Sequence, residues 1–203
     1  MRIIGLLLLS CSLCMSCVQT DKKKALIDDD FLVAEQHLSN QLKAVPEPTV
    51  YPRTTGKDGK LIATPKNDWT EGFYPGCLWY IYEHNREENW KQSAIKWTEA
   101  LEPMKKLTSH HDIGFLIYCS FGNGYRLTGK EEYKDVIIEA ANSLTTRFSE
   151  VTGCIKSWNY RKAWNGKDEW FYPVIIDNMM NLELLYFASK VTGDTRYAKI
   201  ATT

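Results

Sequence analysis

The sequence predicts an all-α fold, an α/α toroid in which inner and outer helices alternate around a shared mouth. Three observations carry that prediction. Apolar residues recur with helical spacing from residue 28 to the end, and no alternating strand pattern competes. Apolar segments alternate with amphipathic ones, as expected when a helix buried on both sides is covered by one with a single wet face. The chain also repeats itself. Trp90-Lys91-Gln92-Ser93-Ala94-Ile95, Tyr133-Lys134-Asp135-Val136-Ile137-Ile138 and Tyr197-Ala198-Lys199-Ile200-Ala201 open three helices in the same way, each after a turn that closes an apolar helix.

The elements follow in order. Residues 28–45 form an amphipathic helix through Phe31, Leu32, Ala34, Leu38, Leu42 and Val45, ended by Pro46 and Pro48. A turn-rich loop, 51–68, carries Gly56, Asp58-Gly59 and Pro65. Segments 72–85, 112–127 and 177–191 are the apolar, inner helices, and 89–107, 130–148 and the stretch from Asp194 onward are the amphipathic, outer ones. The long loop 149–173 holds Trp158, Trp164 and Trp170. An open toroid leaves inner helices uncovered, and the last residues show no stop signal, so the chain is expected to be the N-terminal part of a longer toroid.

Composition bounds the function. The chain has 203 residues, is 44% apolar and 25% charged, and carries no formal net charge. That is an ordinary globular composition with no basic stripe for nucleic acid and no basic membrane face. Aromatic residues are 12% of the chain, with seven Trp and eleven Tyr, which serve a large core or stacking platforms for sugar rings.

Residues 1–17 form a targeting segment. Arg2 is a short positive region, 3–15 is an apolar run too short to span a bilayer, and Ser16-Cys17 sets a small residue before a cysteine. The pattern looks like a bacterial lipoprotein signal cleaved before Cys17; Leu8-Leu9-Ser10-Cys11 also resembles a lipobox but leaves a very short apolar region, so Cys17 is expected to carry the lipid and the protein to be anchored in the cell envelope, facing the periplasm or the exterior. Residues 18–27 read as a polar tether and 28–203 as the toroid domain. Of six cysteines, Cys77, Cys119 and Cys154 fall in that domain, where their odd number and spacing fit no metal pattern and suit buried free thiols.

Three motifs enter inner helices at corresponding places: Asp68-Trp69-Thr70-Glu71-Gly72-Phe73, His111-Asp112-Ile113-Gly114-Phe115 and Ile175-Ile176-Asp177-Asn178. Loops entering inner helices share one mouth, so Trp69, Asp112 and Asp177 should converge. A carboxylate among apolar neighbours must be paired, hydrogen-bonded or protonated, and a protonated one donates a proton. Asp112 and Asp177 could equally cap their helices. His110-His111 adds weight to a site, but two adjacent histidines with no third ligand in register are a weak metal signal. Trp69 and Trp158 suit packing or a platform, and Trp158 lies on a Gly- and Lys-containing loop, which favours the platform. Arg161, Lys162 and Lys167 could bind an anionic substrate or simply be solvated.

Taken together, Asn67-Asp68-Trp69-Thr70-Glu71-Gly72-Phe73 with Leu78-Trp79, then His110-His111-Asp112-Ile113-Gly114-Phe115, then residues 153–158, then Ile175-Ile176-Asp177 with Asn181-Leu182, resemble the unsaturated glucuronyl hydrolases of glycoside hydrolase family 88. The resemblance runs from about residue 28 to the end and covers about half of that family's (α/α)6 toroid. It implies removal of a 4,5-unsaturated uronic acid from the non-reducing end of oligosaccharides made by polysaccharide lyases, without a metal or other cofactor. It also implies that Asp177 is the general acid/base, that Asp112 assists it, and that Trp69 and Trp158 line the sugar site, with His111 a further substrate-binding candidate. Two other functions compete: an unsaturated rhamnogalacturonyl hydrolase with the same fold and chemistry, and a lipid-anchored glycan-binding protein without catalysis.

Overall fold

The computed structural model describes the backbone of residues 2–203 and the side chains of residues 22–203. Of the expected signal segment only the backbone of residues 2–17 is so described, and the Cys17 side chain lies outside the description. The chain divides into two compact units, Met1–Lys43 and Ala44–Thr203. The first is helix α1 (Arg2–Ala44), which ends just before Pro46 as the sequence predicts and also includes the described part of the stretch read as a tether. Among the described residues no helix is long and apolar enough to cross a membrane.

The second unit is helical, with three small hairpins. Inner helix α2 (Phe73–Asn85) packs on outer helix α3 (Glu88–Glu99), which a 3-10 turn, Glu102–Lys106, extends. The second inner segment is a π-helix, Gly114–Gly122, continued by α4 (Asn123–Thr128), and α5 (Glu131–Thr145) covers it. A 3-10 turn, Ile176–Met180, leads into inner helix α6 (Asn181–Thr192), which packs on α7 (Thr195–Thr202). Three inner–outer pairs thus follow one another, as an α/α toroid requires.

The repeat seen in the sequence has a physical counterpart at each inner–outer turn. The residues closing the inner helices, Arg86, Gly129 and Gly193, all adopt left-handed backbone, and the amide of each caps a carbonyl four residues back. The aromatic residue that then opens the outer helix, Trp90, Tyr133 or Tyr197, is buried. The turn reverses the chain and the aromatic pins the returning helix.

Glycines set how closely the inner segments approach. A Cβ on Gly72 would collide with the backbone oxygens of Phe115 and Leu116, and one on Gly76 would lie 2.9 Å from the Cys119 oxygen. A Cβ on Gly114 would meet the Asn181 Oδ1 at 2.6 Å and the Met180 oxygen at 2.9 Å. These small residues bring α2, the π-helix and the start of α6 into backbone contact in succession. The segment 112–127, expected as one α-helix, therefore splits. The widened π turns lie where Ser120 Oγ donates back to the Leu116 carbonyl at 2.6 Å.

The turn-rich loop 51–68 proves to contain a hairpin. Strand β1 (Tyr51–Thr55) pairs antiparallel with β2 (Leu61–Thr64), with a bulge between Pro52 and Thr54. The β-branched Thr54, Thr55, Ile62 and Thr64 favour the extended backbone, and Gly59 takes the turn at φ +79°. Tyr51 anchors the hairpin: its ring is fully buried edge-on to Trp97, and its hydroxyl donates to the Trp97 carbonyl at 2.9 Å. The long loop likewise contains two short pairs, β3 (Phe148–Ser149) with β4 (Cys154–Ile155) and β5 (Arg161–Lys162) with β6 (Glu169–Trp170). The three cysteines of this unit are free, but Cys77 is exposed and Cys119 and Cys154 are only half-buried. The expectation of buried thiols is corrected: Cys77 lies on the face of α2 that also exposes Tyr80 and His84.

Candidate active site

Asp112 and Asp177 converge. One nitrogen of His111 and one oxygen from each aspartate lie within 4.8 Å of one another. The Asp112 carbonyl accepts from the Leu116 amide at 3.1 Å, but its carboxylate is not used to cap the helix. The residue precedes the π-helix, whose N-cap is Ile113, and its carboxylate is turned toward the histidines. His110 Nδ1 lies 2.8 Å from Asp112 Oδ2, and His111 Nε2 lies 3.5 Å from Asp112 Oδ1 and 3.6 Å from Asp177 Oδ1.

The other side of the His111 ring is fixed. Its Nδ1 lies 2.7 Å from Asn178 Oδ1. The Asn178 amide cannot be turned the other way, because its Nδ2 donates to the Ile155 carbonyl at 2.8 Å. Oδ1 of Asn178 is therefore the acceptor, and Nδ1 of His111 carries hydrogen. Asn181 Nδ2 donates to the same Oδ1 at 3.0 Å, while Asn181 Oδ1 accepts from the Gly114 amide at 2.9 Å. The network ties the π-helix to the start of α6. The ring itself is fully buried and stands edge-on to Trp158, at 5.9 Å between centroids.

His111 Nε2 and Asp177 Oδ1 are both buried and neither has a hydrogen-bond partner. Burial raises the Asp177 carboxyl above the ordinary carboxylate range; His111 opposes the rise and the like charge of Asp112 adds to it.

Asp177 is less enclosed than its sequence context suggests. Its side chain is 37% exposed, and the neighbours expected to bury it are themselves exposed, Ile176 at 85% and Met179 at 60%. The reason is the 3-10 turn: with three residues per turn, Ile176 and Met179 fall on one side and point to solvent, while Asp177 turns one oxygen inward. The carboxyl thus has one buried oxygen and one accessible side, which suits a group that must meet substrate.

Of the two expected tryptophans, Trp158 adjoins this centre and Trp69 is reached only through Phe115. Trp158 pairs by a β-bridge with His110 and contacts the His111 ring. Trp69, 42% exposed, is linked less directly: it packs edge-on against Phe115, three residues after Asp112, with Arg53 over its ring at 5.2 Å and Arg53 paired to Asp68 at 3.5 Å.

Four positioning residues escaped the sequence reading. Asn178 and Asn181 are described above. Ser157, fully buried, joins three segments: its carbonyl accepts from His111 N at 3.1 Å, its amide donates to Pro173 O at 2.8 Å, and its hydroxyl accepts from Ile175 N at 3.1 Å. Arg147 reaches the carbonyl of Lys156 at 2.7 Å and that of Thr108, locking the two loops that carry Trp158 and the histidines. The Asn pair had a signal, since Asn181 also interrupts an apolar run; Ser157 and Arg147 had none.

No protein-family model matches the chain. Relatives and solved structures do. It is 44% identical over 153 residues to an unsaturated glucuronyl hydrolase of Formosa agariphila, covering 74% of this chain and 37% of that protein. It is 36% identical over 142 residues to an unsaturated chondroitin disaccharide hydrolase of Streptococcus agalactiae, covering 66% of this chain and 33% of that one. The crystal structure of an unsaturated glucuronyl hydrolase specific for heparin superposes with a TM-score of 0.77 at 36% identity, covering 86% of this chain and 45% of that chain. Fold and relatives define part of an α/α-toroid glycoside hydrolase. Within that class, the chain is similar to the N-terminal part of the unsaturated glucuronyl hydrolases, glycoside hydrolase family 88. It spans about a third of the length of the curated relatives it matches.

Proposed function

We propose that the protein removes a 4,5-unsaturated glucuronic acid from the non-reducing end of glycosaminoglycan-type oligosaccharides made by lyases. The observation that carries the reading is the meeting of Asp112, Asp177 and His111, with burial raising the Asp177 carboxyl. The substrate's C4=C5 bond is a vinyl ether. Asp177, its carboxyl raised by burial and accessible on one side, delivers a proton to C4, and positive charge develops over C5 and the ring oxygen. The ionised Asp177 then takes a proton from water as the water oxygen bonds to C5. The resulting hemiketal opens and the aglycone leaves with its hydroxyl, so Asp177 ends protonated as it began. Asp112 supplies negative charge beside the developing cation, and His111, with Nδ1 committed to Asn178, presents only Nε2 to the pair. The anomeric carbon is not attacked, so the carboxylate separations of retaining and inverting glycosidases do not apply.

The experiment is Asp177→Asn in the full-length protein, following loss of the conjugated-alkene absorbance with an unsaturated glucuronyl disaccharide. A drop of about 100-fold or more is expected; near-normal turnover would sink the assignment. Parallel assay of an unsaturated rhamnogalacturonyl disaccharide separates the neighbouring activity, and binding of intact polysaccharide with no alkene loss would favour the non-catalytic alternative. The same three ligand atoms have a spacing that also admits a cation. Turnover that survives exhaustive chelation supports proton chemistry; turnover lost to chelation and restored by a divalent ion would support a metal.

The envelope location rests on Arg2, the apolar run 3–15 and Ser16-Cys17. Cys17→Ser should move the protein from the detergent phase to the aqueous phase on Triton X-114 partition, and an unchanged partition would remove the anchor.

A further inference from the structure

Hairpin β5–β6 holds an arginine in an unusual setting. The Arg161 guanidinium carbon lies 4.6 Å from the Trp158 ring centroid and 4.0 Å from that of Trp164. Trp158 in turn contacts the His111 ring, whose Nε2 faces both aspartates. Arg161 is therefore one aromatic ring removed from the catalytic cluster, on the side of the sugar platform.

What holds Arg161 is aromatic, not acidic. Among the described residues its guanidinium has no carboxylate at ion-pair distance. The acidic residues of its own hairpin are engaged elsewhere: Glu169 accepts from the Tyr160 hydroxyl at 3.1 Å, and Asp168 accepts from Asn165 Nδ2 at 2.6 Å. Arg53, which stands over Trp69 nearer the first inner helix, differs in being paired with Asp68. Arg126 and Arg196 are likewise paired, with Glu83 and Asp194. Stacking orients the plane of a guanidinium while leaving the N–H groups at its edge available, and that planar fork matches a carboxylate or a sulfate through two parallel hydrogen bonds.

We infer that Arg161, oriented by Trp158 and Trp164, is a specificity-determining residue that binds an oxyanion on the substrate, either a sulfate ester on the sugar next to the reacting uronate or the uronate's own carboxylate. The inference rests on the hydrolase reading above and adds to it a requirement for an anionic group at a defined place.

The test compares the wild-type full-length protein with Arg161→Ala, Arg161→Lys and Trp164→Ala. The substrates are an unsaturated chondroitin disaccharide without sulfate and its monosulfated counterparts. Arg161→Ala should lower kcat/KM about 10- to 100-fold on the substrate whose anion it reads. Arg161→Lys should recover part of the loss, Trp164→Ala should lose less than Arg161→Ala, and the melting temperature should hold. A loss confined to a sulfated substrate identifies a sulfate ester; an equal loss on all substrates identifies the uronate carboxylate. Unchanged kcat/KM on every substrate overturns the inference while leaving the hydrolase reading intact. Should the wild-type protein turn over none of them, the hydrolase reading fails, and Arg161 keeps its own readout: binding of the same disaccharides followed by tryptophan fluorescence. Equal affinity of wild type and Arg161→Ala there overturns it.

Discussion

His111 Nδ1 lies 2.7 Å from Asn178 Oδ1, and that contact decides which nitrogen the aspartates meet. Asn178 follows Asp177 in the chain, so one 3-10 turn supplies both the acid and the group that aims its histidine. Asn178→Ala should free the imidazole to rotate and leave the Ile155 carbonyl and Asn181 amide without their partner. The expected result is a fall in kcat with little change in KM, and a stability loss of about 1–3 kcal/mol. Steady-state kinetics beside thermal melting checks both; a change in KM alone would show that Asn178 acts on substrate rather than on His111.

The pH dependence follows from the raised Asp177 carboxyl. The protonated form is the donor, so activity should fall as pH rises through that raised value. Asp112→Asn removes a like charge, which favours ionised Asp177 and lowers its pKa. The descending limb of the pH–rate profile for residual activity should therefore move to lower pH. A limb that stays in place or moves upward would mean another group sets it.

Glu71 gives a separate prediction about stability. It is 1% exposed, its Oε1 accepts from the Thr64 hydroxyl, and its Oε2 is buried without a partner. Burial pushes the carboxyl up to about 8 from an ordinary 4.5, partly offset by Thr64. Because the folded value is raised, the folded protein binds the extra proton, and stability declines as pH rises between those two values. The decline attributable to this group is on the order of a few kcal/mol. Glu71→Gln should remove it, so its melting temperature should exceed that of the wild type at pH 8 by more than at pH 5. Parallel melting curves against pH would refute the assignment.

Gly72→Ala tests the packing that brings the inner segments together. The new Cβ would lie 2.5 Å from the Leu116 oxygen and closer still to that of Phe115. Both are backbone atoms of the π-helix and cannot swing away as a side chain would. The variant should lose about 1–3 kcal/mol in denaturant unfolding, and the π-helix should shift relative to α2. An unaffected midpoint would show that α2 slides freely at this point.

By itself the sequence determined the helical pairs, because periodicity and the aromatic at each outer-helix start are local signals. It determined the two aspartates as well, since a carboxylate in an apolar run is conspicuous wherever it folds. The turns closing the inner helices were legible too, but their left-handed backbone at Arg86, Gly129 and Gly193 came from the structure, and Arg86 adopts it without the glycine that usually marks it. The hairpin 51–64 and the π-helix were not legible. One is held by Tyr51 against Trp97, and the other lies between glycine contacts with α2 and α6, all distant in the chain.

The tertiary structure alone decided the state of the acid pair. Asp177 was expected to be buried by the apolar residues beside it, but those face solvent, and what surrounds its inner oxygen is His111 and Asp112 from another loop. That loop is placed by Ser157, Arg147 and the Asn178–Asn181 pair, whose partners lie across the fold. The separation has a physical cause. Helix formation and turn chemistry depend on neighbours within a few positions, whereas a carboxyl's proton affinity depends on every charge and dipole within a few ångströms, whichever part of the chain supplies it.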